Sequence, residues 1–171
     1  MNLPENMINY AVYLDGSRLM GTASVDLPSL DQITQKITGA GIGGEVEAPV
    51  MGHFAAMTLG VSWRTITKEA MILAQPAAHA LEFRGSQQVY DTGSGLYSTV
   101  PVKVIVKASP KKTGLGKMVV AAQTDTKNEF EVSYIKVYFN GEEQIEIDKY
   151  NFIARIQGTD YLAAVRNDLG I

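Results

Sequence analysis

The chain reads as a mainly β protein carrying two short α-helices. Three observations predict this. Apolar and polar residues alternate with period two in segment after segment. The dipeptides Asp15-Gly16 and Asn140-Gly141 stand where two-residue hairpin turns belong. Only two stretches carry both a start and a stop signal for a helix.

Taken in order, Ile8, Tyr10, Val12 and Leu14 share one face ahead of the Asp15-Gly16 turn. In "DQITQKIT", Ile33 and Ile37 oppose Gln32, Thr34, Lys36 and Thr38. In "FAAMTLGVSW", Met57, Leu59, Val61 and Trp63 form a core face, and Ala56, Thr58, Gly60 and Ser62 lie opposite. The first helix is expected in "TKEAMILAQP", with Thr67 as N-cap, Glu69 in the first turn and Pro76 past the end. Val100, Val102, Val104 and Val106 make another strand face, with Lys103 and Lys107 pointing away. Residues 109–128 read as the longest irregular region. Phe130, Val132, Tyr134 and Tyr138 share a further face before Asn140-Gly141. One strand is expected in "EEQIEIDKYNFIARI", with a bulge near Asp148 where the apolar phase shifts. The closing "TDYLAAVRNDLGI" predicts a helix capped by Thr159 or Asp160, stacking Tyr161, Val165 and Leu169, and stopping at Gly170.

Composition narrows the function. With 171 residues, 46% hydrophobic and 19% charged, the chain can bury a core without staples and is expected to form a single domain. The start lacks a basic segment, an apolar stretch and a cleavage site, so folding in the cytosol is expected. There are no cysteines, which removes disulfides, thiolate metal sites and cysteine nucleophiles. A net charge of −3 provides no basic footprint for nucleic acid.

The segment "GAGIGG", Gly39 to Gly44, matches the phosphate-cradling pattern G-x-G-x-x-G. That pattern binds a dinucleotide only where a helix opens directly after the glycines. Here they run into "EVEAPVMG". Glu45 and Glu47 would repel phosphate, Pro49 and Gly52 leave no room for a helix, and "VSWRTITK" carries no acid for a ribose. The glycines instead give a connection the freedom to bend and to approach another backbone. His53 and His79 lack ligand spacing, no G-x-S-x-G elbow exists, and the acids of "NGEEQIEID" read as a solvated strand face. Lys107, Lys111, Lys112 and Lys117 read as a solvated loop patch without interleaved aromatics. No catalytic, metal or cofactor residue is expected, and no enzyme. The two outer faces at Gln32–Thr38 and Ala56–Ser62 are small and neutral-polar, which suits either a plain solvent face or a wall along which something slides.

The segment "EIDKYNFIARIQGTDYLAAVRNDLGI" resembles the C-terminal end of the major tail tube proteins of contractile-tailed bacteriophages and R-type pyocins. The similarity continues through "INYAVYLDGSRLMGTASVDLPSL", with its Leu27-Pro28-x-Leu30 step, through "GAGIGG", and through "FRGS" at Phe83 to Ser86. It covers nearly the whole chain, with 109–128 poorly matched, and "QITQKIT" stands where relatives often carry an acid. The resemblance implies an antiparallel β-sandwich or barrel subunit. Six copies form a hexameric ring, each adding four strands to a closed β-barrel, and rings stack into a rigid tube inside a contractile sheath. A barrel of about 24 strands is hollow, since 16 to 18 already leave an aqueous channel.

The same resemblance makes the glycine-rich stretch 39–52 an inter-ring contact loop, formed by Gly39, Gly41, Gly43, Gly44, Glu45, Glu47 and Pro49. On that reading Gln32, Thr34, Lys36, Thr38, Ala56, Thr58, Gly60 and Ser62 are expected to face the lumen, and Lys111 and Lys112 are expected on the outer surface near the sheath. Implied partners are the chain itself, tail sheath, tape measure, baseplate and tail-terminator proteins. Double-stranded DNA passes transiently without specific binding, or ions do in a headless particle. No cofactor and no stable membrane association are expected. The location is the virion tail, or a headless tail-like particle, assembled in the bacterial host cytoplasm. Alternatives of other classes are an effector-carrying ring of a type VI secretion-like system and a monomeric β-sandwich that binds sugars or peptides.

Overall fold

The alternation predicted from sequence materialises as twelve strands and two helices in a computed structural model that describes residues 1–171. In chain order these are β1 (Asn2–Leu14), β2 (Ser17–Leu19), β3 (Thr22–Asp26), β4 (Gln32–Ile37), β5 (Val46–Phe54), β6 (Thr58–Trp63), α1 (Lys68–Ile72), β7 (His79–Asp91), β8 (Tyr97–Gly114), β9 (Thr126–Phe139), β10 (Glu142–Asp148), β11 (Ile153–Ile156), β12 (Thr159–Asp160) and α2 (Ala163–Leu169). Every pairing is antiparallel.

The main sheet runs β12-β11-β10-β9-β8-β7-β1-β2 and forks at β9. The second half of β9, Tyr134–Phe139, pairs with β10, while its first half, Thr126–Glu131, pairs with β6, which in turn pairs with β3. The fork folds the β3–β6 wing over the β1–β7–β8 face. Between them lies one apolar cluster in which Trp63, Phe130, Leu59, Val61, Val106 and Leu81 are fully buried. Each such side chain contributes about 1.5–3 kcal/mol through water exclusion. The Trp63 indole donates to Asn128 Oδ1 at 2.8 Å, and the Asn128 amide donates to Ala70 O and Thr113 Oγ1, both at 3.2 Å. This buried polar junction fastens α1 to β6, β8 and β9.

Several sequence expectations need correction. Tyr134 and Tyr138 do not share the face of Phe130 and Val132. One extra residue in β9 interrupts its pairing with β8, where Lys107 meets Tyr134 but Ala108 meets Val132. The bulge turns both tyrosines outward, and Ile135 and Val137 face the core instead. The phase shift near Asp148 is a hairpin rather than a bulge. Asp148 accepts from the backbone N–H of Tyr150 and Asn151 at 3.1 Å each and turns the chain from β10 into β11. The irregular region shrinks to 115–125, because β8 continues to Gly114.

Thr67 caps α1 as expected, its hydroxyl accepting from Ala70 N–H. The last helix starts later than predicted. Thr159 and Asp160 form β12, no side chain caps α2, and Tyr161 lies before the helix. Asp160 still holds the segment, accepting from Leu162 N–H at 3.1 Å and from Arg166 at 2.7 Å. Gly170 ends the helix in the left-handed conformation.

Candidate assembly surfaces

Strands β3, β6, the first half of β9 and residues 109–114 of β8 form a four-stranded wing. Its inner side carries Val25, Leu59, Val61, Phe130 and Asn128. Register then fixes the outer side. Ser24 lies beside Ser62 and Lys127, Asp26 beside Gly60, Glu129 and Lys112, and Thr58 beside Glu131 and Ser109. This outer face pairs its own charges, with Lys127 3.3 Å from Asp26 and Lys111 3.5 Å from Glu131. Asp26, Glu129 and Glu131 balance Lys111, Lys112 and Lys127. The surface is polar and carries no net charge.

Both margins of this wing are open. Strand β3 pairs only with β6, and residues 109–114 of β8 pair only with β9, because β7 begins opposite Ala108. Four alternating strands leave these two margins running in opposite directions. Pro110 and two lysines lie along the β8 margin, features that keep an unpaired edge from adding strands indiscriminately.

The predicted site residues fall into separate places. Thr58, Gly60 and Ser62 lie together on the wing, and Ala56 sits in the link before it. Gly60 is not open. Lys127 Cε and Asp26 close over it, 3.0 and 3.2 Å from where a β-carbon would stand. Lys111 and Lys112 are strand residues on this same face, not a loop patch, and Lys111 Nζ donates to Thr58 Oγ1 at 3.0 Å. The two lysines therefore share the surface of Thr58, contrary to the opposite placement expected from sequence. Lys107 leaves that patch altogether. It lies across the sheet over the Tyr134 ring, at 5.6 Å, while Lys117 sits in the 115–125 turn.

Gln32, Thr34 and Lys36 belong to a different structure. Strands β4 and β5 form an isolated two-stranded ribbon that does not join the wing. Thr38 lies just beyond its first strand. The glycine-rich stretch 39–52 divides accordingly. Gly39, Gly41, Gly43, Gly44 and Glu45 form the ribbon's turn, whereas Glu47 and Pro49 are strand residues in β5. Gly41 adopts φ +89, open to glycine and strained for any other residue, and Ile42 N–H closes the turn onto Gly39 O at 3.1 Å.

The ribbon's root is clamped. Ala55 N–H donates to Asp31 O at 2.7 Å, Lys149 Nζ donates to Ala55 O at 2.8 Å, and Glu131 accepts from Met57 N–H at 3.2 Å. Gly52, at φ +73, brings the β5 backbone against Leu162, leaving no space for a β-carbon.

A model for the family described as "Phage tail tube protein FII" matches residues 4–170. The chain belongs to this phage tail tube protein family. The tail tube protein of Escherichia phage P2 is 29% identical over 178 residues, covering 100% of both chains. In fold, the protein is similar to the sheath/tube terminator of the PVC extracellular contractile injection system. That match has a TM-score of 0.54 and 9% identity over 80% of this chain and 97% of the other. The sheath–tube complex of the same system aligns with a TM-score of 0.46 at 11% identity, over 76% of this chain and 86% of that one. The chain is mainly β with two short helices, as its alternation predicted.

The outward sheet face of this tail tube protein is built differently from the wing. Arg84 lies 4.3 Å over the Tyr13 ring and pairs with Glu82 at 2.6 Å, which raises the guanidinium pKa further. Lys103 stacks 4.6 Å over Tyr138. Lys136 and Arg155 bracket Glu143 and Glu146 across β9, β10 and β11. A hydrogen bond from Glu143, then Lys136 and Arg155, hold the Glu146 carboxyl below its ordinary value.

Sequence reasoning missed Ser24, Asp26, Lys127, Glu129 and Glu131 as members of the wing face. Each alternates with a core residue, so the signal existed within every strand. Which strands lie side by side was not written in any one of them. The two histidines are far from one another in role: His53 is exposed on β5, and His79 is buried with Nε2 3.1 Å from Gln75 O.

Proposed function

We propose that the wing is one sixth of the tube wall. The whole chain acts as one tail tube domain. Six copies close into a ring when the β3 margin of each pairs with residues 109–114 of the next. The observation that carries this reading is the pair of open, oppositely directed margins, five and six residues long, on one four-stranded sheet. An even number of alternating strands makes every junction between identical copies antiparallel. Closure removes the edges that would otherwise aggregate, and about 24 strands enclose an aqueous channel.

The lining is then the balanced face of Ser24, Thr58, Ser62, Lys111, Lys112, Lys127, Asp26, Glu129 and Glu131. A duplex carries one negative charge per about 1.7 Å, and a basic wall would hold it by counterion release. A lining whose lysines are already matched by carboxylates exerts no such grip, which suits transient passage of DNA. The protein serves structurally and without catalysis. Its rings stack into the inner tube of a contractile tail. The tube meets sheath, baseplate, terminator and tape measure proteins in a virion tail assembled in the host cytoplasm. Sheath contacts fall to the opposite, Arg84–Tyr13 and Lys103–Tyr138 face.

Electron microscopy of the purified protein tests the reading. Hollow six-fold rings and stacked tubes are the expected result. A monodisperse monomer at high concentration, with no rings, would overturn it.

A further inference from the structure

The connection from β8 to β9 is ordered, yet it wears its apolar residues outside. Lys117 N–H donates to Thr124 O at 2.8 Å, Thr124 N–H to Arg64 O at 3.0 Å, and the Thr126 hydroxyl to Leu115 O at 3.0 Å. Gly116, at φ +81, lets the two sides of the loop close, because no β-carbon fits there beside Thr124 O. Met118, Val119 and Val120 at its tip are nevertheless 87%, 54% and 95% exposed. Backbone hydrogen bonds shape this tip, and contiguous apolar side chains presented in this way mark an interaction site.

A second exposed apolar group stands at the same end of the wing, beyond its other margin. Register sets Thr22 beside Trp63, Trp63 beside Thr126, and Lys127 beside Gly114, so the residues before β3 and those after β8 leave the wing at one end. Met20 stands there, and the next carbonyl, Gly21 O, accepts from Arg64 N–H at 3.1 Å, which ties it to the approach to α1. Ile66 and Met71 occupy the two positions of a hydrophobic staple around the Thr67 cap, and both are exposed, as Met20 is. The two groups also share a side of the wall. Thr126 and Asn128 are buried on the core side of β9, where the first holds Leu115 O and the second holds Ala70 O of α1.

We propose that the 115–125 loop of one copy clasps the Met20–Ile66–Met71 corner of its neighbour in the same ring. The loop and the corner lie at the same end and on the same side of the wing, but beyond opposite margins. Within a protomer those margins are three strand spacings apart, about 14 Å, whereas across a closed seam they are one spacing apart, about 4.8 Å. The loop that continues from Gly114 then meets the residues leading into the neighbour's Thr22. Apolar side chains exposed on both are covered together, and a flexible methionine on each adapts to an irregular fit. The inference rests on the ring reading and adds to it an apolar lock beside the backbone bonds of the seam. The lock acts within one ring and is separate from the 39–52 stretch.

The absence of cysteine makes the contact testable by crosslinking in assembled tubes. Chains carrying both Met20→Cys and Met118→Cys are assembled and treated with a short bis-maleimide. A covalent ladder that stops at six copies is expected. Leu27→Cys with Met118→Cys, which moves the first thiol to the far end of β3, should give no ladder. Ser24→Cys with Lys112→Cys reports the seam itself. Tubes that link through 24–112 and not through 20–118 overturn the lock and leave the ring standing. Tubes that link through neither overturn the β3–β8 seam and the lock with it. A 27–118 ladder running past six sends the loop to the next ring and also overturns the lock.

If the double-cysteine chains do not assemble, Met118→Ser, Met20→Ser and the two together decide the matter. Both side chains are exposed in the protomer, so its circular dichroism should not change. Each single change should raise the concentration needed for assembly roughly tenfold, the scale of burying one methionine. The double change should cost less than the product of the two. A full product, or no loss at all, overturns the lock.

Discussion

Lys111 reaches over the wing to Thr58, its ammonium 3.0 Å from the hydroxyl and 3.5 Å from Glu131. Sequence alone sets these residues 53 positions apart and suggests opposite surfaces. Pairing of β6 and β8 with the same half of β9 brings them onto one. Whatever surface of the assembly Thr58 faces, Lys111 and Lys112 face too.

Cysteine labelling makes that relationship measurable. Thr58→Cys and Lys112→Cys should both react with a bulky polymer-linked maleimide in the dissociated protein, and both should be protected in assembled tubes. Arg18→Cys, on the other face of the sheet, should stay reactive in both. Protection of Thr58→Cys without protection of Lys112→Cys contradicts the shared lining.

Gly41→Pro should leave the protomer folded and abolish tubes. Proline fixes φ near −65°, whereas Gly41 sits at φ +89 with open space where a side chain would stand. Circular dichroism should match the parent protein while microscopy shows no tubes. Normal tubes would mean that the ribbon's turn has no part in assembly.

Gly52→Ala acts at the other end of the ribbon. Its new β-carbon would stand 2.6 Å from Leu162 Cγ, at a φ hostile to any side chain. A loss of about 1–3 kcal/mol in unfolding free energy is expected from overpacking. Assembly should suffer more than stability, because the clamp aims the ribbon. Assembly unchanged at reduced stability would show that the ribbon's direction is set elsewhere.

Asn128→Ala tests the buried junction. It removes three hydrogen bonds and leaves the Trp63 N–H orphaned in the core. Urea denaturation should report a loss of about 2–4 kcal/mol, the range for breaking a buried network. A change within experimental scatter would place the stability of this junction in its apolar contacts.

Acid should loosen the C-terminal strands first. The Asp160 carboxyl is held below its ordinary 3.8 by Arg166 and by Leu162 N–H, and Glu146 below 4.5 by Glu143, Lys136 and Arg155. A carboxyl with a depressed folded pKa stabilises the fold fully above its unfolded value. That contribution is lost as pH falls through the folded one. Amide exchange at Ala154, Tyr161 and Leu162 should therefore accelerate below these ordinary values, ahead of exchange in β6 and β8. Simultaneous loss of protection in all of them would count against a local cause.

The sequence by itself determined the mainly β character, the cap at Thr67, the stop at Gly170 and the core sides of β1, β6 and β8. These follow from side-chain alternation and local backbone chemistry, which need no distant partner. It also carried the resemblance that the family match bears out. Only the tertiary structure decided that β9 forks, that its bulge turns Tyr134 and Tyr138 outward, and that Lys111 joins Thr58. It alone separated β4 and β5 as a ribbon with one apolar side. Alternation says that a residue faces away from a core, but not what lies across from it. That second fact depends on which strands pair, and pairing is settled by burial of the whole apolar set at once.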